Sequence, residues 1–151
     1  MMLPSDKCIA LIKEFEGYKD KAYKCPAGIW TIGYGSTMYS DGTRVKEGDK
    51  VSKETAEATL MWELTNKSKS LVNLRVNQNK FDALMSFAYN LGIGALLDST
   101  LYKKVRMNPY DITIRDEFLR WNKARVNGKL TVLPGLTRRR DAEANLYFTE
   151  I

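Results

Sequence analysis

Glu16 is the acid best placed for chemistry in this sequence. Cys8, Ile9, Ile12 and Phe15 recur at helical spacing after Pro4-Ser5, and Gly17 supplies a stop, so Glu16 falls in the last turn of a helix. A helix C-terminus carries partial negative charge, which disfavours a second negative charge there, and Phe15 and Trp30 add desolvation. Both effects favour the protonated carboxyl that a general acid needs. Taken alone, the residue reads first as an ordinary exposed glutamate at a helix end.

The chain contains no histidine. That excludes Ser-His-Asp and Cys-His pairs, imidazole acids and bases, and any His-ligated zinc or iron. The two cysteines, Cys8 and Cys25, cannot hold zinc alone, and no carboxylates stand beside them at ligand spacing. Neither a metal nor a cofactor is expected. An enzyme built from this chain works with carboxylates, hydroxyls, a thiol or lysine.

Four kinds of segment position these groups. After the first helix, residues 18–49 are rich in glycine, with a β-branched and aromatic run at Ile29-Trp30-Thr31-Ile32 and an Asp41-Gly42 hairpin signal. This stretch predicts a small twisted antiparallel sheet of two or three strands. Ser52 caps a long helix over 53–74 carrying Leu60, Leu64, Leu71 and Val72. Asn77 or Asn79 opens a helix with Phe81, Leu84, Ala88 and Leu91 inward, closed by Gly92. Ser99 caps a short helix to Met107, and Asp111 caps another with Ile114, Phe118 and Trp121. A turn-rich loop from Val126 to Gly135 precedes a last helix, Thr137 to about Phe148. The expected architecture is α+β: one domain over residues 1–151, with a sheet lobe at about 18–50. The long helix joins it to a helical lobe of 53–151 plus the N-terminal helix. A cleft between the lobes suits an elongated substrate.

The length of 151 residues fits one domain, and 44% apolar with 28% charged residues fits a globular protein. A net charge of +6 favours an anionic partner without selecting one. A nucleic-acid binder would need a recognised motif and a concentrated basic face, and neither is present. No apolar run approaches the ~20 residues of a membrane span, and no secretory signal is visible, so stable membrane insertion is not expected. Cytoplasmic thiols of this number are ordinarily reduced.

The spacing around Glu16 is informative: Glu16, eight residues, Cys25, five residues, Thr31. It resembles the phage-type lysozymes, the endolysins of glycoside hydrolase family 24, whose pattern is Glu, eight residues, Asp or Cys, five residues, Thr. The resemblance extends through Leu11-Ile12-Lys13-Glu14-Phe15-Glu16-Gly17, Gln78 to Gly92, and Trp121-Asn122. It continues through Leu133-Pro134-Gly135-Leu136 with Arg138-Arg139-Arg140 and Glu143, covering nearly the whole chain in the family's order. It implies a lysozyme-like fold and hydrolysis of the β-1,4 bond between N-acetylmuramic acid and N-acetylglucosamine in peptidoglycan. It further implies action as a monomer held in the host cytoplasm until release to the wall. Glu16 would protonate the leaving glycosidic oxygen. Thr31, a short hydroxyl stiff at χ1, would hold a water with the help of Cys25.

Two positions depart from the usual pattern. Cys25 stands where many relatives have a second carboxylate, and a neutral thiol is a poor base or stabiliser. Asp20, in the loop after Glu16, is a possible stand-in, with surface solvation the simpler reading. Ser36, in Gly33-Tyr34-Gly35-Ser36-Thr37, stands where many relatives carry histidine; its hydroxyl can bond locally but cannot anchor a carboxylate as a cation would. Of Arg138, Arg139 and Arg140, one is expected to reach Glu16 or the sheet, and at least two to lie on a solvated face. A lytic transglycosylase using Glu16 alone, and a catalytically inactive peptidoglycan-binding module, remain as alternatives.

Overall fold

The computed structural model describes residues 1–150. Helix α1 spans Asp6–Glu16 and ends at Gly17, whose N–H donates to Lys13 O. Its Ser5 cap is turned away from the helix. The Ser5 hydroxyl and N–H both donate to the buried carboxylate of Asp82, which also accepts from Gln78 Nε2. The start of α1 is thereby fixed to the central helix, α3, at Gln78–Leu91.

Strands β1 (Lys19–Lys24) and β2 (Trp30–Gly33) pair antiparallel, with Tyr23 opposite Thr31. The Asp41-Gly42 hairpin signal holds as a bridge between Met38 and Arg44 outside the strands. Asp20 lies in β1 rather than in a loop, exposed, with its carbonyl accepting from Val51 N.

Helix α2, Lys53–Ser68, is capped by Ser52, whose hydroxyl accepts from Thr55 N at 3.1 Å. It is shorter than its apolar pattern predicts. The buried Ser68 hydroxyl back-bonds to Leu64 O at 2.7 Å, and the chain tightens into a 3-10 turn at Lys69–Leu71. Val72 follows this turn and is 56% exposed, so it takes no part in the core face.

Helix α3 is the centre of the fold. Every residue from Asn79 to Tyr89 is buried, because α1, α2 and three later helices surround it. Asn77 caps it by accepting from Lys80 N. Helices α4 (Ile93–Asp98), α5 (Thr100–Met107) and α6 (Ile114–Leu119) follow; α4 has no counterpart in the sequence reading. Asp111 closes a turn onto Thr113 rather than capping α6. Trp121 lies just beyond α6, with its ring edge-on to Phe87 at 5.4 Å.

The expected loop after Val126 is a second hairpin, β3 (Lys123–Val126) with β4 (Lys129–Val132). Asn127 and Gly128 both have positive φ, at 51° and 80°, the pair of conformations a two-residue type I′ turn demands. Helix α7, Pro134–Tyr147, begins three residues earlier than predicted. Proline at the first helical position loses no hydrogen bond and presets φ. The architecture is thus α+β, a small antiparallel sheet beside a larger helical body. No helix among the described residues is long and apolar enough to cross a membrane.

Candidate active site

Glu16 stands at the meeting point of α1, the β2 turn and α7, with its side chain 21% exposed. The turn is closed by two backbone bonds between Ile32 and Ser36, both 2.9 Å, and by the Tyr89 hydroxyl donating to Tyr34 O at 2.6 Å. Two glycines make this turn fit its surroundings. A Cβ on Gly33 would lie 2.9 Å from Ala56 Cβ, so α2 docks directly on the backbone there. A Cβ on Gly35 would lie 2.8 Å from Glu16 Oε1.

On its other side Glu16 meets a cation. Arg139 Nη1 donates to Glu16 Oε2 at 2.7 Å, while its Nη2 donates to Ser86 O and its Nε to Glu143 Oε2, both at 3.3 Å. The Arg139 guanidinium also lies 5.7 Å from the centre of the Phe15 ring. Two arginines are buried here, Arg139 and Arg140, and only Arg138 is exposed. This reverses the expectation of a mostly solvated basic face. The buried Glu143 supplies the reason: its carboxylate takes both guanidiniums at positions three and four residues away on α7. A partner of this kind offsets the desolvation that would otherwise keep an arginine outside. Glu16 is therefore held by a cation, in addition to the helix end and apolar neighbours that the sequence suggested.

Cys25 and Thr31 lie across the hairpin from each other. The Cys25 N–H donates to Ile29 O at 3.0 Å, and Gly28 N donates back to Cys25 O at 2.8 Å, folding the hairpin end into a tight turn. The Cys25 thiol is held below its ordinary range, chiefly by the Ile29 N–H, with lesser help from Ala27 N–H and the Thr31 hydroxyl. Backbone donors of this kind favour a thiolate. Thr31 is buried, and its hydroxyl donates to Ile29 O at 2.9 Å. That single proton serves either Ile29 O or a Cys25 thiolate, and in both cases the oxygen lone pairs are left to accept. Tyr23, opposite Thr31 on β1, links the group. Burial pushes its phenol up, and the negative charges of Glu16 and then Cys25 push it further. Cys25 and Thr31 thus share the end of the hairpin, while Glu16 ends α1 against the turn that follows β2. Cys8 and Cys25 are both free thiols.

Ser36 is buried, with its hydroxyl facing that of Tyr89. On α2, Glu63 is a carboxylate that the sequence reading passed over. Burial raises it, and Lys67 at 3.7 Å is its compensating cation.

A recess of about 610 Å³ opens beside Glu16, lined on the helical side by Glu14, Phe15, Asn90, Leu136 and Arg139. A second concavity, about 470 Å³, lies between the Thr37–Arg44 segment and α2. Glu16 stands between the turn at Gly35 and the first of these hollows. Asn90, Gly35 and Glu143 were not singled out for the site by sequence reasoning. Gly35 carried a signal in the Gly-x-Gly spacing, and Glu143 in its distance of three and four residues from paired arginines.

Known proteins show the same arrangement of chain. The family model described as phage lysozyme matches residues 13–143. An endolysin of Acyrthosiphon pisum secondary endosymbiont phage 1 is 41% identical over 95% of this chain and 96% of its own length. The endolysin of Salmonella phage P22 is 37% identical over 82% of this chain and 86% of its own. Among solved structures, an endolysin from Escherichia coli O157:H7 phage FAHEc1 superposes with a TM-score of 0.88 at 38% identity, covering 97% of this chain and 94% of that one. The chain therefore belongs to the phage lysozyme family and is a peptidoglycan-hydrolysing glycosidase of the endolysin type.

Proposed function

We propose that the chain hydrolyses the β-1,4 bond between N-acetylmuramic acid and N-acetylglucosamine, with Glu16 as general acid and Thr31, helped by Cys25, placing the attacking water. The observation that carries this reading is the seat of Glu16, partly exposed beside a recess and fixed from opposite sides by Gly35 and Arg139. A carboxyl held this closely spends little of its reaction barrier on orientation.

In this mechanism the glycan strand lies over Glu16, which gives its proton to the leaving oxygen as positive charge develops on the sugar. The Thr31 lone pairs accept a hydrogen bond from the water and aim it at the anomeric carbon. Cys25, with its thiol biased toward ionisation by Ile29 N–H, is suited to accept that water's second hydrogen bond. The general-acid step in such sites is worth about 10²–10⁴ in rate.

The same reading takes residues 1–151 as one catalytic unit. It acts as a monomer on glycan strands, without stable membrane insertion, after release from the host cytoplasm to the wall. Digestion of purified peptidoglycan with identification of the product ends tests the reaction. Reducing N-acetylmuramic acid ends are expected; anhydro ends would establish a transglycosylase instead.

A further inference from the structure

A general acid must carry a proton, yet Glu16 faces a guanidinium at 2.7 Å, and a cation favours the ionised carboxylate. Behind Arg139 lies a second, fully buried cation, Arg140, close enough to feel the Glu16 charge. Two buried cations thus stand on one side of Glu16. Glu143 is the group that stands between them.

We propose that Glu143 is a positioning and charge-balancing residue for Glu16, holding Arg139 against it and cancelling one of the two buried guanidinium charges. The proposal rests on the reading of Glu16 as general acid. Glu143 is fully buried, and its Oε2 gathers three donors. Oε2 accepts from Ser86 Oγ at 2.6 Å, from Arg140 Nη2 at 3.1 Å and from Arg139 Nε at 3.3 Å. Oε1 lies 2.8 Å from Arg140 Nε, an ion pair outside hydrogen-bonding angle. Burial pushes this carboxyl up, and Arg140, Arg139 and the Ser86 hydroxyl oppose that push. Since the guanidiniums only donate, the surroundings are built for the ionised form. Two cations and one anion then leave a single net positive charge against Glu16.

Of the remaining groups facing Glu16, the Cys25 thiol on the hairpin is held below its ordinary range by backbone donors, but it pairs with neither guanidinium. Tyr23 on β1 and Tyr89 on α3 are neutral phenols raised further by burial. Glu63 on α2 is a carboxylate whose own compensation comes from Lys67. Glu14 and Arg138 line the recess from its rim. Ser86 and Asn90 lock the cluster in place, since Asn90 Oδ1 accepts from Arg140 Nη2 at 2.8 Å.

The test is the pH–rate profile on purified peptidoglycan for the wild type, Glu143→Gln, Arg140→Met and the double variant, with the folded state checked by circular dichroism. Glu143→Gln leaves two cations and moves the alkaline limb to lower pH by about one unit or more. Arg140→Met leaves Arg139 and Glu143 balanced and moves the limb to higher pH. The double variant restores one net charge and returns the limb to the wild-type position. A merely structural role lowers the rate at every pH and leaves the limb in place, which would overturn the proposal. Should Glu143→Gln fail to fold, Arg140→Met carries the test, because Glu143 keeps its pairing to Arg139; an unmoved limb there is equally contrary. A Glu16→Gln protein that retained full activity would refute the general-acid reading itself, a result distinct from either of these.

Discussion

Gly35 and Glu16 touch with no room for a side chain between them: a Cβ on Gly35 would lie 2.8 Å from Glu16 Oε1 and 3.2 Å from its Cδ. Gly35 also has φ of 89°, a conformation L side chains rarely adopt. The turn and the carboxyl therefore fit only as a pair. Gly35→Ala is expected to displace Glu16 and to cost about 1–3 kcal/mol of stability from backbone strain. The rate should fall by more than the loss of folded protein accounts for. Parallel measurement of thermal unfolding and of wall-clearing rate separates the two; a variant with normal activity would show that the contact does not position the acid.

The two thiols differ sharply in environment. Cys25 is partly exposed and held low by backbone donors, whereas Cys8 is fully buried and pushed up, first by burial and then by Asp82 and Glu143. Iodoacetamide should modify Cys25 in the folded protein and reach Cys8 only on unfolding, as read by peptide mass spectrometry. Alkylated enzyme should lose wall-clearing activity. Cys25→Asp should retain or raise activity and Cys25→Ala should lower it by about 10²-fold. Full activity in Cys25→Ala would remove this residue from the water-placing role.

Alkaline pH should destabilise the fold by a definite route. Burial raises the Cys8 thiol and the phenols of Tyr89 and Tyr147, whose hydroxyls donate to Tyr34 O and Pro109 O. Each is neutral when folded and ionises more readily when unfolded. Their contribution is complete below the unfolded values of about 8.5 for Cys and about 10 for Tyr, and is lost as pH rises past them. Melting temperature should fall first above about pH 8.5, where Cys8 alone leads. Cys8→Val should flatten that first decline; an unchanged slope would assign it to other groups.

Much of this arrangement is legible from sequence because local signals agree with it. Ser52, Asn77, Ser99 and Gly92 mark helix ends where the backbone places them. Along the fold, one hairpin carries Cys25 and Thr31 and α1 carries Glu16. The failures are equally local or wholly tertiary. Asn127-Gly128 is a strong hairpin signal, and its flanks, Lys123-Ala124-Arg125-Val126 and Lys129-Leu130-Thr131-Val132, alternate polar and apolar residues. Each strand is only four residues long and mostly exposed, however, so the stretch reads as a turn-rich loop. Arg139 meets Glu16 across 123 residues of chain, a contact no spacing rule contains. Its burial depends on Glu143 and Ser86 arriving from α7 and α3 together, so a basic run at a helix start reads as solvated until the partner helix is known.

The central claim is that Glu16 supplies the proton. Glu16→Gln is nearly isosteric and keeps an acceptor for Arg139, so the variant should stay folded. Its rate of glycan cleavage, measured by reducing ends released from purified peptidoglycan, is expected to fall by about 10²–10⁴-fold with an unchanged circular dichroism spectrum. Cleavage at the wild-type rate by the folded variant would contradict the account.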